Sequence, residues 1–185
     1  LQGRYAEHGE MVGLLTDFGH RLGMRAWIAK REQRRRYGEA TLGDLLSDPE
    51  QRVYLPLVAP GPQELLEELD CIWYVRGRAA FLFDVEWQAV LDEPVIKRGP
   101  QIESSDSIVR FLVVPDERTP LIKARLARSP ILRARLGADN WHMLTWNNVR
   151  RLHASPRADL SVMGPLLGLD ADVERGDDQM AMFVK

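Results

Sequence analysis

The 185-residue chain is 45% hydrophobic with a net charge of -2, enough apolar material for one sizeable core and too little for two large ones. No apolar run approaches the roughly 20 residues that cross a bilayer, and LQGRYAEHGE lacks the charged-then-apolar pattern of a secretion signal, so a cytoplasmic protein with no membrane partner is expected. The single cysteine, Cys71, excludes an internal disulfide and a thiolate zinc site.

Met11, Leu14, Leu15, Phe18 and Leu22 recur at helical spacing, which predicts an amphipathic helix over residues 6–22 with Gly23 as its C′ residue. Met24 to Ala29 reads as a short strand, followed by a polar connection through Gly38 and a short helix around Leu42 to Leu46. Pro56, Pro60, Gly61 and Pro62 punctuate the chain before an acidic helical turn, Gln63 to Leu69. Residues 69–76 and 79–87, joined at Gly77-Arg78, predict an antiparallel hairpin, and Ile108 to Val114 predicts a further strand. Thr119-Pro120 opens a basic helical region reaching Leu136, after which Trp141 to Trp146 reads as a strand and Asn147 to Leu152 as a short helix. From Ala154 the chain is rich in Gly and Asp with weak periodicity, so the expected organisation is one α/β domain over 1–153 and a peripheral or partly disordered tail over 154–185. The chain opens on Leu1 rather than Met, as a trimmed chain or a piece of a longer one would.

The hairpin carries the chemistry. In Phe81-Leu82-Phe83-Asp84-Val85-Glu86-Trp87, period-two alternation puts Phe81, Phe83, Val85 and Trp87 on one face and leaves Asp84 and Glu86 together on the other. Two acids side by side repel unless a cation, a proton or a basic partner offsets them, and a divalent metal does so economically. Asp70, at the start of the preceding strand, is brought toward the same end by a tight hairpin, and such a carboxylate set suits Mg²⁺ or, as readily, Mn²⁺. On the first helix, a 100° wheel places Glu7 within the apolar stripe and Glu10 at right angles to it. Glu7 is therefore expected to point inward, as a fourth ligand or simply as an acid favoured by the helix dipole.

Charge is unevenly placed: residues 41–70 hold seven acids and one base, Arg52, whereas residues 118–157 hold nine Lys or Arg and one acid, Asp139. A second basic cluster, Lys30-Arg31 and Arg34-Arg35-Arg36, follows the first strand. Lys30, Arg34, Arg35, Lys97, Arg98, Arg133 and Arg135 are the candidate phosphate contacts, against the alternative that these are solvated basic surfaces.

The order helix, strand, hairpin, with Asp70 at the start of the chain's second strand and Asp84-x-Glu86 on the third, resembles the αβββαβ core of the PD-(D/E)XK, or restriction endonuclease-like, nuclease superfamily over residues 6–115. The resemblance implies a central mixed β-sheet flanked by helices. It also implies that Asp70 and Asp84 bind Mg²⁺, that Glu7 matches an acid some members supply from the first helix, and that Glu86 stands where the usual member has Lys. It further implies metal-dependent phosphodiester hydrolysis on DNA, with Asp70, Asp84 and Glu86 as the catalytic set. Two departures stand out. Another cation must replace the missing Lys, with Lys97, Arg98 and Lys30 as candidates, and Pro94, Gly99 and Pro100 break the helix that usually follows the third strand. More closely, FLFDVEW, VRFLVVPDER and LARSPILR with NWHMLTWNNVR look like a nuclease-like module found near adenine-specific DNA methyltransferases, which implies a restriction-modification or DNA-processing role, a methyltransferase partner, and the homodimer many such nucleases form.

A domain that keeps this fold but only binds DNA or serves as a scaffold is the alternative. In a third reading Trp87, Trp141 and Trp146 anchor a protein partner, although alternation places Trp87 in the core. His142 and His153 lack acidic companions in their segment and read as structural or surface residues. No Gly-x-Ser-x-Gly elbow, phosphate-binding P-loop or Gly-x-Gly-x-x-Gly fingerprint occurs, which disfavours a serine hydrolase and a nucleotide-driven enzyme.

Overall fold

Met11, Val12, Leu15 and Phe18 form the buried stripe of the first helix, α1 (Gln2–Arg21). A computed structural model describes residues 2–46, 48–55, 62–88, 90–102, 108–159 and Met163. The helix closes as the glycine predicts: Gly23 has φ +78°, its N–H donates to the His20 carbonyl, and the Met24 N–H donates to the Gly19 carbonyl. Along the buried stripe Gly19 lets the Trp73 indole lie against the helix and donate to the Leu15 carbonyl at 3.0 Å. A Cβ on Gly19 would sit 2.5 Å from that indole nitrogen. Gly19→Ala is therefore expected to destabilise the fold by about 1–3 kcal/mol. Gly3→Ala, in open space on the same helix, is expected to be neutral or stabilising; comparing urea midpoints checks both.

The strand over Arg25–Ile28 (β1) leads into a small hairpin, Arg36–Tyr37 (β2) and Ala40–Thr41 (β3), then a 3₁₀ turn at Leu42–Leu45. After the short helix α2 (Gln63–Glu67) come β4 (Cys71–Val75) and β5 (Arg78–Val85). Their turn is Arg76-Gly77, one residue earlier than the spacing suggested, and both residues have positive φ as a tight hairpin turn demands. The remaining elements are β6 (Val109–Val114), α3 (Thr119–Arg128), α4 (Pro130–Ala138), β7 (Trp141–Thr145) and α5 (Trp146–Ala154). The basic helical region expected from Thr119 to Leu136 consists of two helices: Pro130 cannot donate to the preceding turn, and the Ser129 hydroxyl accepts the Leu132 N–H to start a new helix.

The result is an α/β fold around a mixed five-stranded sheet in the order β1-β4-β5-β6-β7. The first three strands pair antiparallel and the last two join in parallel, Phe81 against Val109 and Arg110 against Trp141. Parallel β5 and β6 need a crossover. Among its described residues it contains no α-helix but a π-helical turn at Asp92–Arg98 and a 3₁₀ turn at Gly99–Gln101, so a regular helix is broken at Gly99 and Pro100 as expected, while Pro94 is accommodated. Pro94 lies in the first turn, where its missing N–H has no intrahelical acceptor to lose, and Pro100 opens the 3₁₀ turn. α1 and α5 cover the face holding Trp73, Phe81, Phe83, Val85, Phe111 and Leu144. α3 and α4 cover Leu112, Val114 and Met143 on the other face, and α2 helps to cover Ile72 and Leu82.

Met163 is buried in the core cluster shared by the sheet, α1 and α5; otherwise the expected tail beyond residue 159 lies outside the described residues. Among the described residues no helix is long and apolar enough to cross a membrane.

Candidate active site

The hairpin register builds the site. Cys71 pairs with Phe83, so Asp70 and Asp84 stand opposite one another where β4 begins and β5 ends. Phe81, Phe83 and Val85 pack toward α1, as the alternation predicts, and Asp84 points to the other face. That face is covered too, so Asp84 is only 3% exposed and Asp70 5%. Asp70 Oδ2 accepts the Val85 N–H at 2.8 Å, which ties its carboxylate to the end of β5. Glu86, half-buried just past the strand, donates its N–H to the Val113 carbonyl at 2.7 Å. Asp70, Asp84 and Glu86 line one cleft with Arg31, Glu68, Lys97 and Arg98.

The acids do not stand alone. Arg31 donates to Asp70 Oδ1 at 2.8 Å, and Arg98 pairs with Asp84. Burial pushes the Asp84 carboxyl up to about 6 and Asp70 adds to this, while Arg98 and Arg31 pull against it. Glu86 is pushed up to about 7, first by burial and then by the charges of Asp84 and Asp70. Asp70 goes the other way: burial would raise it, but contacts with His8, Arg31 and the Val85 N–H hold it below the usual carboxylate range. The cleft therefore holds one committed carboxylate and two that are held reluctantly, an arrangement a hard dication with oxygen ligands would relieve.

Glu7 does not point inward. It is exposed, and the residue that the first helix turns toward Asp70 is His8, 8% exposed. The reason is helical phase: the buried stripe runs through Met11, Val12, Leu15 and Phe18, one position away from the stripe through Leu14, and a step of one residue rotates a side chain by about 100°. Glu10 bonds Arg150 of α5 through both carboxylate oxygens. His8 lies between Glu32 and Asp70, with Nδ1 3.4 Å from Glu32 and Nε2 3.7 Å from Asp70. Burial would lower its pKa, but hydrogen bonds and charges from Asp70 and Glu32 raise it to about 9. Glu32, 2% exposed, also pairs with Arg35. Sequence reading missed His8 and Glu32; the one available signal was the position of His8 on the apolar stripe, three and four residues before Met11 and Val12.

Of the cations considered in place of the missing Lys, Arg98 meets Asp84, Lys97 lines the cleft but pairs with Glu93, and Lys30 pairs with Glu67 outside it. Arg31, which belongs to the basic cluster after the first strand but not to the candidate phosphate contacts, is the cation on Asp70. Arg34, Arg133 and Arg135 are exposed and line neither this cleft nor the pocket around His8; Arg35 flanks that pocket with its guanidinium over the Tyr5 ring. Trp87 packs partly on the core and partly on that pocket's rim, 6.0 Å from Tyr5, while Trp141 and Trp146 are buried and offer no protein anchor. His142 is half-buried with its pKa lowered by burial, and His153 sits 3.7 Å from Asp17.

No curated protein and no solved structure matches the chain. A family model does match, over residues 3–158, which spans α1 through α5 and every residue of the cleft. The chain thus belongs to the family described as the Type II restriction enzyme NmeDI C-terminal domain.

Proposed function

We propose that the domain is a metal-dependent phosphodiesterase of the PD-(D/E)XK type acting on DNA in a restriction or related DNA-processing system. The observation that carries this reading is the convergence of Asp70, Asp84 and Glu86 on one cleft where burial and mutual repulsion push the last two carboxyls upward. Membership in a restriction-enzyme family supports DNA as the substrate. The donor set consists of carboxylate oxygens, which fits Mg²⁺ or Mn²⁺, with Asp70 and Asp84 as the residues that would hold the ion. When bound, the ion supplies positive charge to the scissile phosphate and acidifies the attacking water. Glu86, with its carboxyl near neutrality, is suited to take the proton from that water. Arg98 and Arg31, freed in part as the cation takes up the acids' charge, are the nearest guanidiniums to stabilise charge building on the phosphate, the part Lys plays elsewhere in the superfamily.

Arg98→Met is accordingly expected to lower nicking by about a hundredfold with metal affinity kept or raised, and Arg98→Lys to recover part of the loss. Plasmid nicking with parallel calorimetry checks this; unchanged nicking would remove Arg98 from the reaction. One observation favours a second reading, a nuclease-like domain that only binds DNA or serves as a scaffold: Asp70 and Asp84 already have guanidinium partners. Mg²⁺ and Mn²⁺ titration of the wild-type chain with plasmid nicking separates the two. Binding with nicking supports hydrolysis, and DNA binding without either supports the scaffold. Double-strand cuts rather than nicks would point to the homodimer, and co-purification with a methyltransferase would identify that partner.

A further inference from the structure

On the α1 side of Asp70 lie two ligand-type groups, His8 and Glu32, that the hydrolytic reading does not use. One ring nitrogen of His8, one carboxylate oxygen of Glu32 and one of Asp70 all lie within 4.8 Å of one another, and all three residues are buried. His8 Nδ1 lies 3.4 Å from Glu32 Oε2 and His8 Nε2 lies 3.7 Å from Asp70 Oδ2, while Glu32 Oε2 also pairs with Arg35. An imidazole and two carboxylates are costly to bury together unless opposite charges hold them, and His8 and Glu32 converge from α1 and the loop after β1 on the Asp70 carboxylate at the entrance to β4. The pocket they line is walled by Tyr5 and Trp87 and reaches solvent, which provides an entry path and room for water ligands.

We propose that His8, Glu32 and Asp70 form a second cation site that takes a first-row transition ion such as Mn²⁺ or Zn²⁺ in preference to Mg²⁺. An imidazole nitrogen beside two carboxylate oxygens suits those ions, whereas Mg²⁺ keeps to oxygen and water. The neighbouring guanidiniums fit this arrangement. Arg35 pairs with Glu32, and Arg31 touches both Glu32 and Asp70. A carboxylate offers about four lone-pair sites, so each acid keeps its guanidinium while giving an oxygen to the ion, and such outer contacts orient ligands. Asp70 is shared with the main cleft, but the site goes beyond hydrolysis and stands whether or not the cleft cuts DNA.

The test uses the full chain with Zn²⁺ or Mn²⁺ alone. Calorimetry is expected to show a Zn²⁺ site that survives in the Asp84→Asn/Glu86→Gln double variant and weakens by roughly tenfold or more in His8→Gln and in Glu32→Gln. Pulsed electron paramagnetic resonance of the Mn²⁺-loaded wild type and double variant is expected to show nitrogen coupling from a coordinated imidazole. Zn²⁺ affinity unchanged in both single variants overturns the proposal, as does a Mn²⁺ spectrum without nitrogen coupling, which is read without touching His8. Failure of the hydrolytic reading looks different: nicking is absent while the His8-dependent Zn²⁺ site persists.

Discussion

Asp84→Asn is expected to abolish Mg²⁺ binding in the main cleft and to lower plasmid nicking by at least about a hundredfold, while the domain stays folded. Asparagine keeps an oxygen that accepts from Arg98, so the guanidinium is not stranded, but it removes the negative charge that a dication needs. The metal-free stability is expected to hold or rise. Burial resists the Asp84 charge strongly enough to push its carboxyl up to about 6, a change of roughly two units, or on the order of 3 kcal/mol at most. Asp84→Ala is expected to behave worse, because it leaves Arg98 partly buried with no acceptor where Asp84 stood, and breaking such a pair costs about 3–5 kcal/mol. Calorimetric Mg²⁺ titration, nicking and urea denaturation on the two variants give all the quantities. Nicking that persists in Asp84→Asn would move the metal elsewhere, and collapse of that variant would make Asp84 a structural residue.

Stability of the chelator-treated protein is expected to fall as pH rises from about 4 to 9. His8, Glu86 and Asp84 all have folded-state pKa values above their ordinary ones, at about 9, 7 and 6. For each, the stabilisation is fully present below the unfolded pKa and is lost as pH passes through the folded value. Asp70 has the opposite sign, its contribution being lost only as pH falls below the ordinary carboxylate range. Cys71, pushed by burial up to about 12, takes no part in the window. Each shift corresponds to about 3 kcal/mol at most, and because the three groups titrate as one cluster these amounts do not simply add. Urea midpoints at pH 5, 7 and 9 measure the slope, and His8→Gln should remove its upper part. Mn²⁺ is expected to restore stability most at high pH, where it no longer competes with protons for the acids. A flat profile would show that the ion pairs with Arg31, Arg35 and Arg98 already balance the cluster.

What the sequence determined by itself is the part governed by local periodicity. Alternation along Phe81 to Trp87 depends only on the two-residue repeat of a strand, so the face of Asp84 and the inward set Phe81, Phe83 and Val85 were legible, as were the hairpin that carries Asp70 and the glycine that closes α1. Tertiary structure alone decided which cations and which helix residue complete the cleft. A helix can satisfy its apolar spacing at two neighbouring phases, and packing against Trp73 and Phe83 selected the one that turns His8 inward and Glu7 out. Lys97 and Arg98 are adjacent and chemically alike in sequence, but the π-helical turn, within the crossover that parallel pairing of β5 and β6 requires, leaves Lys97 in solvent with Glu93 and brings Arg98 to Asp84. Arg31 and Glu32 belong to a loop without periodicity. The place of Arg31 follows from its contact with Asp70, 39 residues further along the chain, and that of Glu32 from His8 on α1, long-range pairings that local spacing does not encode.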